Sequence, residues 1–192
     1  MMQDQEVQNI QEISLKSSVY TGKPVVLIGM MGTGKTQLGR VLAKATALPF
    51  FDTDNEIETA AGMAVTDYFS KYGEEAFRAG EYKVLERLLD NTPKIIAAGG
   101  GIVVLPQTRA LLRERAVPVW LTASPRTLAK RCEGNNKRPL LQNGNPEEIL
   151  SALLEKRRSM YEETASFSVS TERVDDNAVN AILKGLEACQ PK

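Results

Sequence analysis

A chain of 192 residues, 42% hydrophobic and 25% charged, has the composition of an ordinary globular domain and is long enough to bury a substantial core. Its 24 basic and 24 acidic residues cancel, which argues against nucleic acid or a membrane surface as the principal partner and makes any anion site local. It contains no histidine, so carboxylates, lysine and arginine must carry any proton or metal chemistry.

Residues 1–22 form a polar extension that lacks the apolar stretch of a signal peptide and the arginine content of a mitochondrial presequence, and a disordered tail is expected there. A single domain is expected over residues 23–192. Its apolar runs all fall short of the roughly 20 residues that span a bilayer. Cys132 and Cys189 have neither metal-ligand spacing nor the density of a disulfide scaffold. A soluble, cytoplasmic protein is the expectation.

From residue 25 onward, short apolar runs alternate with amphipathic stretches. A strand at 25–28 precedes a helix over 37–47, and a short strand at 49–52 follows. Residues 54–90 read as a largely helical insertion, with Thr66 as an N-cap and a helix over 74–89 carrying Phe77, Val84, Leu85 and Leu88 at helical spacing. A strand at 95–98 is followed by a helix over 107–115, a strand at 117–121 and a helix over 125–132. The polar, Gly/Asn-rich residues 133–145 read as a mobile loop. A helix from Pro146, opened by Asn145, extends to Arg158, and a strand at 167–171 and a helix over 177–188 complete the chain. Strands apolar on both faces and joined by helices belong in a parallel sheet covered on two sides. The predicted fold is therefore α/β: three layers, α/β/α, around a central parallel sheet of about five strands.

Residues 29–36, Gly-Met-Met-Gly-Thr-Gly-Lys-Thr, match G-x-x-x-x-G-K-[ST] in full, between a predicted strand and a predicted helix. Such a loop turns successive backbone N–H groups onto phosphate oxygens at a helix N-terminus, where the helix dipole favours negative charge. Gly32, Thr33, Gly34, Lys35, Thr36 and Gln37 are the nucleotide-binding residues it supplies. Lys35 is placed to bridge the β- and γ-phosphates, and Thr36 offers a hydroxyl to Mg²⁺.

Asp52 and Asp54 stand at the carboxyl end of a predicted strand, where ligands sit in α/β sheets, and residues two apart on an extended chain project the same way. Thr53 would then turn aside. Helix N-capping by either aspartate is an equally open reading. Arg78 and Glu81, three apart on a helix, suggest a surface ion pair by default. Gly99, Gly100 and Gly101 end a strand, which means either a tight exit turn or something that approaches the backbone too closely for a Cβ. Arg131, Arg138 of the Arg-Pro-Leu-Leu run, and Arg157 place cations around the loop at 133–145, where a solvated basic stretch is the alternative.

Taken in order, these pieces resemble the shikimate kinase family: the phosphate loop, Asp52 and Asp54, Phe77-Arg78 with Glu81, Gly99 to Gly101, Arg138-Pro139-Leu140-Leu141, and Arg157 followed by Tyr161. The likeness runs from about residue 25 to 188. It implies ATP-dependent phosphorylation of the shikimate 3-hydroxyl, on a P-loop fold of the nucleoside monophosphate kinase type with a substrate-binding insertion at about 54–90 and a lid at about 131–146. By the same resemblance, Arg78 and Arg157 clamp the substrate carboxylate, and Asp54 accepts from the ring hydroxyls as base or orienter. Gly99 to Gly101 donate backbone N–H groups, and Asp52 holds Mg²⁺ through water. Arg131 contacts the nucleotide, and Arg138 swings with the lid over the γ-phosphate. Phe69 and Phe77 flank the substrate ring or simply pack the core. ATP, shikimate and Mg²⁺ are thus the expected partners of a monomer. The rivals are another small P-loop kinase, of gluconate or a nucleoside monophosphate, and a nucleotide-binding regulator without turnover, which the intact set Lys35, Asp52, Asp54 and Arg138 disfavours.

Overall fold

The structure is a computed structural model and describes residues 22–133 and 144–189. Five strands, β1 (Val25–Ile28), β2 (Phe50–Asp52), β3 (Ile95–Ala97), β4 (Val117–Thr122) and β5 (Phe167–Ser170), form one sheet in the order β2-β3-β1-β4-β5. Every pairing is parallel, with Val25 opposite Ile95 on one side of β1 and Val117 on the other. The helices are α1 (Lys35–Thr46), α2 (Thr53–Ala61), α3 (Val65–Leu88), α4 (Pro106–Arg115), α5 (Pro125–Cys132), α6 (Pro146–Thr164) and α7 (Asp176–Ala188).

The strand period of two sorts the core into two layers. Val26, Ile28, Ile96 and Trp120 project to one face, where Leu85 and Leu88 of α3, Leu112 of α4 and Leu150 and Tyr161 of α6 cover them. Val25, Leu27, Ile95, Val119 and Leu121 project to the other, against Leu38 and Leu42 of α1 and Ile182 and Leu186 of α7. All four residues of β1 are fully buried, so both faces of this central strand are apolar. Each such side chain contributes roughly 1.5–3 kcal/mol on leaving water. The three-layer α/β/α sandwich with a five-stranded parallel sheet is the predicted one.

Two local expectations give way. Thr66 does not cap α3: the helix starts at Val65, whose N–H donates to Glu58 Oε1 at 3.0 Å, so a side chain of the preceding helix supplies the cap. The same helix is kinked where Gly73 takes φ 80°, which sets residues 65–72 at an angle to the predicted stretch after it. Helix α6 runs past Arg158 to Thr164, because Tyr161 and Thr164 bury their side chains. Glu162 and Glu163 sit unfavourably at this helix C-terminus. Arg109 and Arg113 of α4 offset that by pairing with Glu163 at 2.9 and 2.5 Å.

Apart from Gly22, the polar extension falls outside the described residues, as does the middle of the expected lid with Arg138. No described helix is long and apolar enough to cross a membrane.

Candidate active site

In an all-parallel sheet the carboxyl ends of the strands share one edge. Here they open on a cleft of about 790 Å³. At one end stands the phosphate loop. Gly29, at φ 143°, begins it where a Cβ would strike the carbonyl oxygen of Leu121 on the neighbouring strand. Thr33 turns inward and donates to the Met30 carbonyl at 2.8 Å, so its side chain braces the loop from beneath. Gly34 is the N-cap of α1 and brings no capping side chain, and the first turn holds no acid. The positive end of the dipole is thus left to a ligand.

Lys35 Nζ lies 2.9 Å from the carbonyl oxygens of both Gly29 and Met30, folded over the loop. Thr36 Oγ donates to Asp52 Oδ2 at 2.8 Å, and both residues line the cleft with Gln37. From α5, Arg131 donates to the Gly32 and Glu172 carbonyls at 3.3 and 2.9 Å, which ties the loop to the segment after β5.

The other end is built on α2, α3, α6 and the glycine turn. Asp52 serves both readings left open by its spacing: its Oδ1 accepts from Asp54 N at 3.1 Å as the N-cap of α2, and its Oδ2 faces Thr36. Asp54 lies in the first turn of α2 and lines the cleft. Thr53 does turn aside, and it is fully buried with its Oγ accepting from Gly99 N at 2.9 Å. The Gly99 N–H is therefore committed inside the protein and is not the ligand donor expected of it.

The Arg78–Glu81 pair is not a surface pair. Its groups meet at 2.5 Å with side chains 11% and 3% exposed, and Arg78 also reaches Glu74 at 3.2 Å. This pair is what approaches the glycine turn. A Cβ on Gly99 would lie 2.7 Å from Glu81 Oε1 and 3.0 Å from Asp54 Oδ1, and one on Gly101 would collide with the Arg78 guanidinium. Burial pushes the Glu81 carboxyl up, with Arg78 opposing and Asp54 adding to the rise. Burial also works against the Arg78 charge, but Glu81 and Glu74 outweigh it, and the guanidinium stays firmly protonated.

Arg157 of α6 also lines the cleft, and its Nη1 donates to the Gly100 carbonyl at 3.2 Å. One turn later Tyr161 donates to the same oxygen at 2.6 Å. Its ring stacks on Trp120 with centroids 5.5 Å apart, and burial pushes the phenol up to about 12. Phe69 and Phe77 line the cleft with ring centroids 5.6 Å apart; Phe77 is also core, whereas Phe69 is exposed.

The description Shikimate kinase belongs to a family model that matches residues 31–187 of this chain. A shikimate kinase of Paramagnetospirillum magneticum is 44% identical over 165 residues, 86% of this chain and 85% of that protein. The chain belongs to the shikimate kinase family. It is accordingly a kinase, a phosphotransferase with an alcohol acceptor and ATP as co-substrate. A solved structure, shikimate kinase from Acinetobacter baumannii in complex with shikimate, superposes with a TM-score of 0.86 at 33% identity, covering 91% of this chain and 98% of that one. A gluconokinase from Sinorhizobium meliloti 1021 superposes with a TM-score of 0.56 at 23% identity over 88% of this chain and 94% of that one, a likeness of fold alone.

In this shikimate kinase family site one cleft gathers Lys35, Thr36, Gln37, Asp52, Asp54, Arg78, Gly99 to Gly101, Arg131 and Arg157. Thr33 stays beneath the loop, and Arg138 lies outside the described residues. Sequence reasoning missed Glu172 and named Tyr161 without giving it a role. Glu172, on the loop after β5, accepts from Ser124 and Thr127 at the start of α5, a pairing no local pattern signals. The Tyr161 hydroxyl had a usable signal, since residues four apart on a helix share a face.

Proposed function

We propose that this chain transfers the γ-phosphoryl group of ATP to the 3-hydroxyl of shikimate. One observation carries the proposal. A cleft lined by a phosphate cradle is lined also by two arginines, Arg78 and Arg157, and a carboxylate, Asp54. A small acid bearing hydroxyls needs that combination, cations for its carboxylate and an acceptor for its hydroxyls.

In this mechanism the N–H groups at the start of α1 hold the β-phosphate. Lys35 leaves the Gly29 and Met30 carbonyls for the β- and γ-oxygens, where its charge offsets that building on the transferred group. Arg78 and Arg157 grip the acceptor's carboxylate and set its ring so that the 3-hydroxyl faces phosphorus. Asp54 accepts a hydrogen bond from that hydroxyl and aims its lone pair; the new O–P bond forms as the bond to the β,γ-bridging oxygen breaks, ADP leaves, and the hydroxyl proton passes to the Asp54 carboxylate or to a phosphoryl oxygen. Arg131, anchored to Gly32, lies at the nucleotide end.

Mg²⁺ suits the Thr36 hydroxyl and the Asp52 carboxylate, adjacent hard oxygen donors beside Lys35. Among the described residues no three His, Cys, Asp or Glu side chains cluster as a metal cage, so phosphates and water would complete its shell. Held by Thr36 and Asp52, such an ion would supply positive charge to offset that of the phosphates. A monomer suffices, since one chain supplies every group named, and a cytoplasmic setting with ATP at hand accords with the proposal.

ADP release by the purified protein should depend on shikimate and Mg²⁺ and show no response to gluconate or AMP. ADP release indifferent to shikimate would refute the acceptor assignment.

A further inference from the structure

The Gly100 carbonyl receives two donors from one face of α6: Arg157 Nη1 at 3.2 Å and the Tyr161 hydroxyl at 2.6 Å. Arg157 lines the cleft, whereas Tyr161 is wholly buried. The same hydroxyl lies 3.7 Å from Met30 Sδ in the phosphate loop. One phenol oxygen therefore touches the glycine turn and the loop that cradles phosphate, one helical turn from the arginine assigned to the acceptor.

The ring alone accounts for the packing. It stacks nearly parallel to Trp120, at 11°, and belongs to the apolar layer with Leu150 and Leu85. A phenylalanine would fill that space equally well, and a hydroxyl is costly to bury unless it is bonded. The hydroxyl is thus the part of the side chain that packing leaves unexplained. A carbonyl oxygen has two lone pairs, and here it serves one neutral, buried donor and one cationic donor.

We propose that the Tyr161 hydroxyl is a positioning group for the acceptor. It holds the Gly100 carbonyl where Arg157 can rest one nitrogen on it and keep the remainder of its guanidinium aimed into the cleft. Without that hydroxyl the carbonyl oxygen draws Arg157 inward and the turn loosens, so the acceptor's carboxylate meets a misdirected cation. The proposal rests on the assignment of Arg157 to the acceptor's carboxylate.

The test is steady-state kinetics on Tyr161→Phe, Arg157→Ala, the double variant and Trp120→Phe, each checked for folding by circular dichroism. Tyr161→Phe is expected to raise the shikimate KM about 5- to 10-fold, the factor set by one hydrogen bond serving a charged group, with the ATP KM within about twofold. In the Arg157→Ala background the same change should add less than about twofold, because the group it positions is gone. Trp120→Phe disturbs the ring stack only, and should lower Tm while leaving both KM values within about twofold.

Equal effects of Tyr161→Phe on both KM values, full additivity with Arg157→Ala, or a Trp120→Phe that mimics the kinetic change would each overturn the proposal. So would an unfolded Tyr161→Phe, which would assign the hydroxyl to folding. An Arg157→Ala that leaves the shikimate KM unchanged would sink the acceptor assignment itself, and this proposal with it.

Discussion

Arg78 and Glu81 meet at 2.5 Å in the wall of the cleft, one turn apart on α3, and both are withdrawn from solvent. The glycine turn packs against the pair so closely that neither Gly99 nor Gly101 has space for a Cβ. A cation assigned to the substrate is thereby held by a buried anion on one side and by backbone on the other, and its direction is set before any ligand arrives.

Removing Arg78 strands a buried carboxylate. Arg78→Ala should cost about 3–5 kcal/mol of stability at neutral pH, as loss of one partner from a buried pair does. The pH dependence has a defined sign. Burial already raises the Glu81 carboxyl, and such a group favours the fold below the usual carboxylate range and loses that advantage as pH rises through its folded value. Losing Arg78 raises it further, so the deficit against wild type should be smallest near pH 5 and grow towards pH 8 in urea titrations. A pH-independent deficit would show that Glu81 is not the stranded charge.

Gly99→Ala pushes a methyl group towards Glu81 and Asp54, at 2.7 and 3.0 Å. Misplacing reacting groups by about 1 Å costs up to about 100-fold. We expect kcat/KM for shikimate to fall by about 10- to 100-fold, with the ATP KM within about twofold. A matching rise in the ATP KM would mean that the phosphate loop had moved instead.

The two aspartates should separate kinetically. Asp54→Asn removes the acceptor of the hydroxyl's hydrogen bond, and a fall in kcat of about 10²–10⁴ is expected from loss of a positioned acid–base group. Asp52→Ala removes the partner of Thr36 Oγ, and should raise the Mg²⁺ concentration for half-maximal rate by about 10- to 100-fold, as loss of a metal-site partner does. Magnesium titrations of both variants decide it. An Asp54→Asn enzyme within a few-fold of wild type would remove Asp54 from the mechanism.

Alkaline stability reports on Tyr161. Burial raises its phenol to about 12 from an ordinary 10, so the unfolded chain gives up its proton first, and stability is lost as pH climbs through that interval. That difference corresponds to about 2–3 kcal/mol. Between pH 10 and 12 the Tyr161→Phe protein should therefore lose stability less steeply than wild type in matched denaturant titrations, and parallel curves would contradict the buried, protonated phenol.

Much of the architecture was legible along the chain. The alternation of apolar runs with amphipathic stretches specified a parallel sheet under two helical layers, because strands buried on both faces and helices buried on one write different periods. The phosphate loop was equally plain, since its glycines, Lys35 and Thr36 act through their own backbone and neighbours in sequence. Asp52 was harder: a cap and a cleft-facing carboxylate use the same residue at the same spacing, and only the hydrogen bond from Thr36, sixteen residues away, shows that it does both.

What the sequence by itself determined, then, was a nucleotide cradle, the order of the elements and the residue types around the cleft. Whether an ion pair is buried, which carbonyl two donors share and where an amide proton goes depended on contacts between distant segments. Glu81 is withdrawn from solvent beside the turn at Gly99, which comes from a different segment. Thr53 found its partner 46 residues on, and Tyr161 met Gly100 from 61 residues away. Burial and hydrogen-bond partnership belong to the packed three-dimensional neighbourhood, and no local period encodes which segments share one.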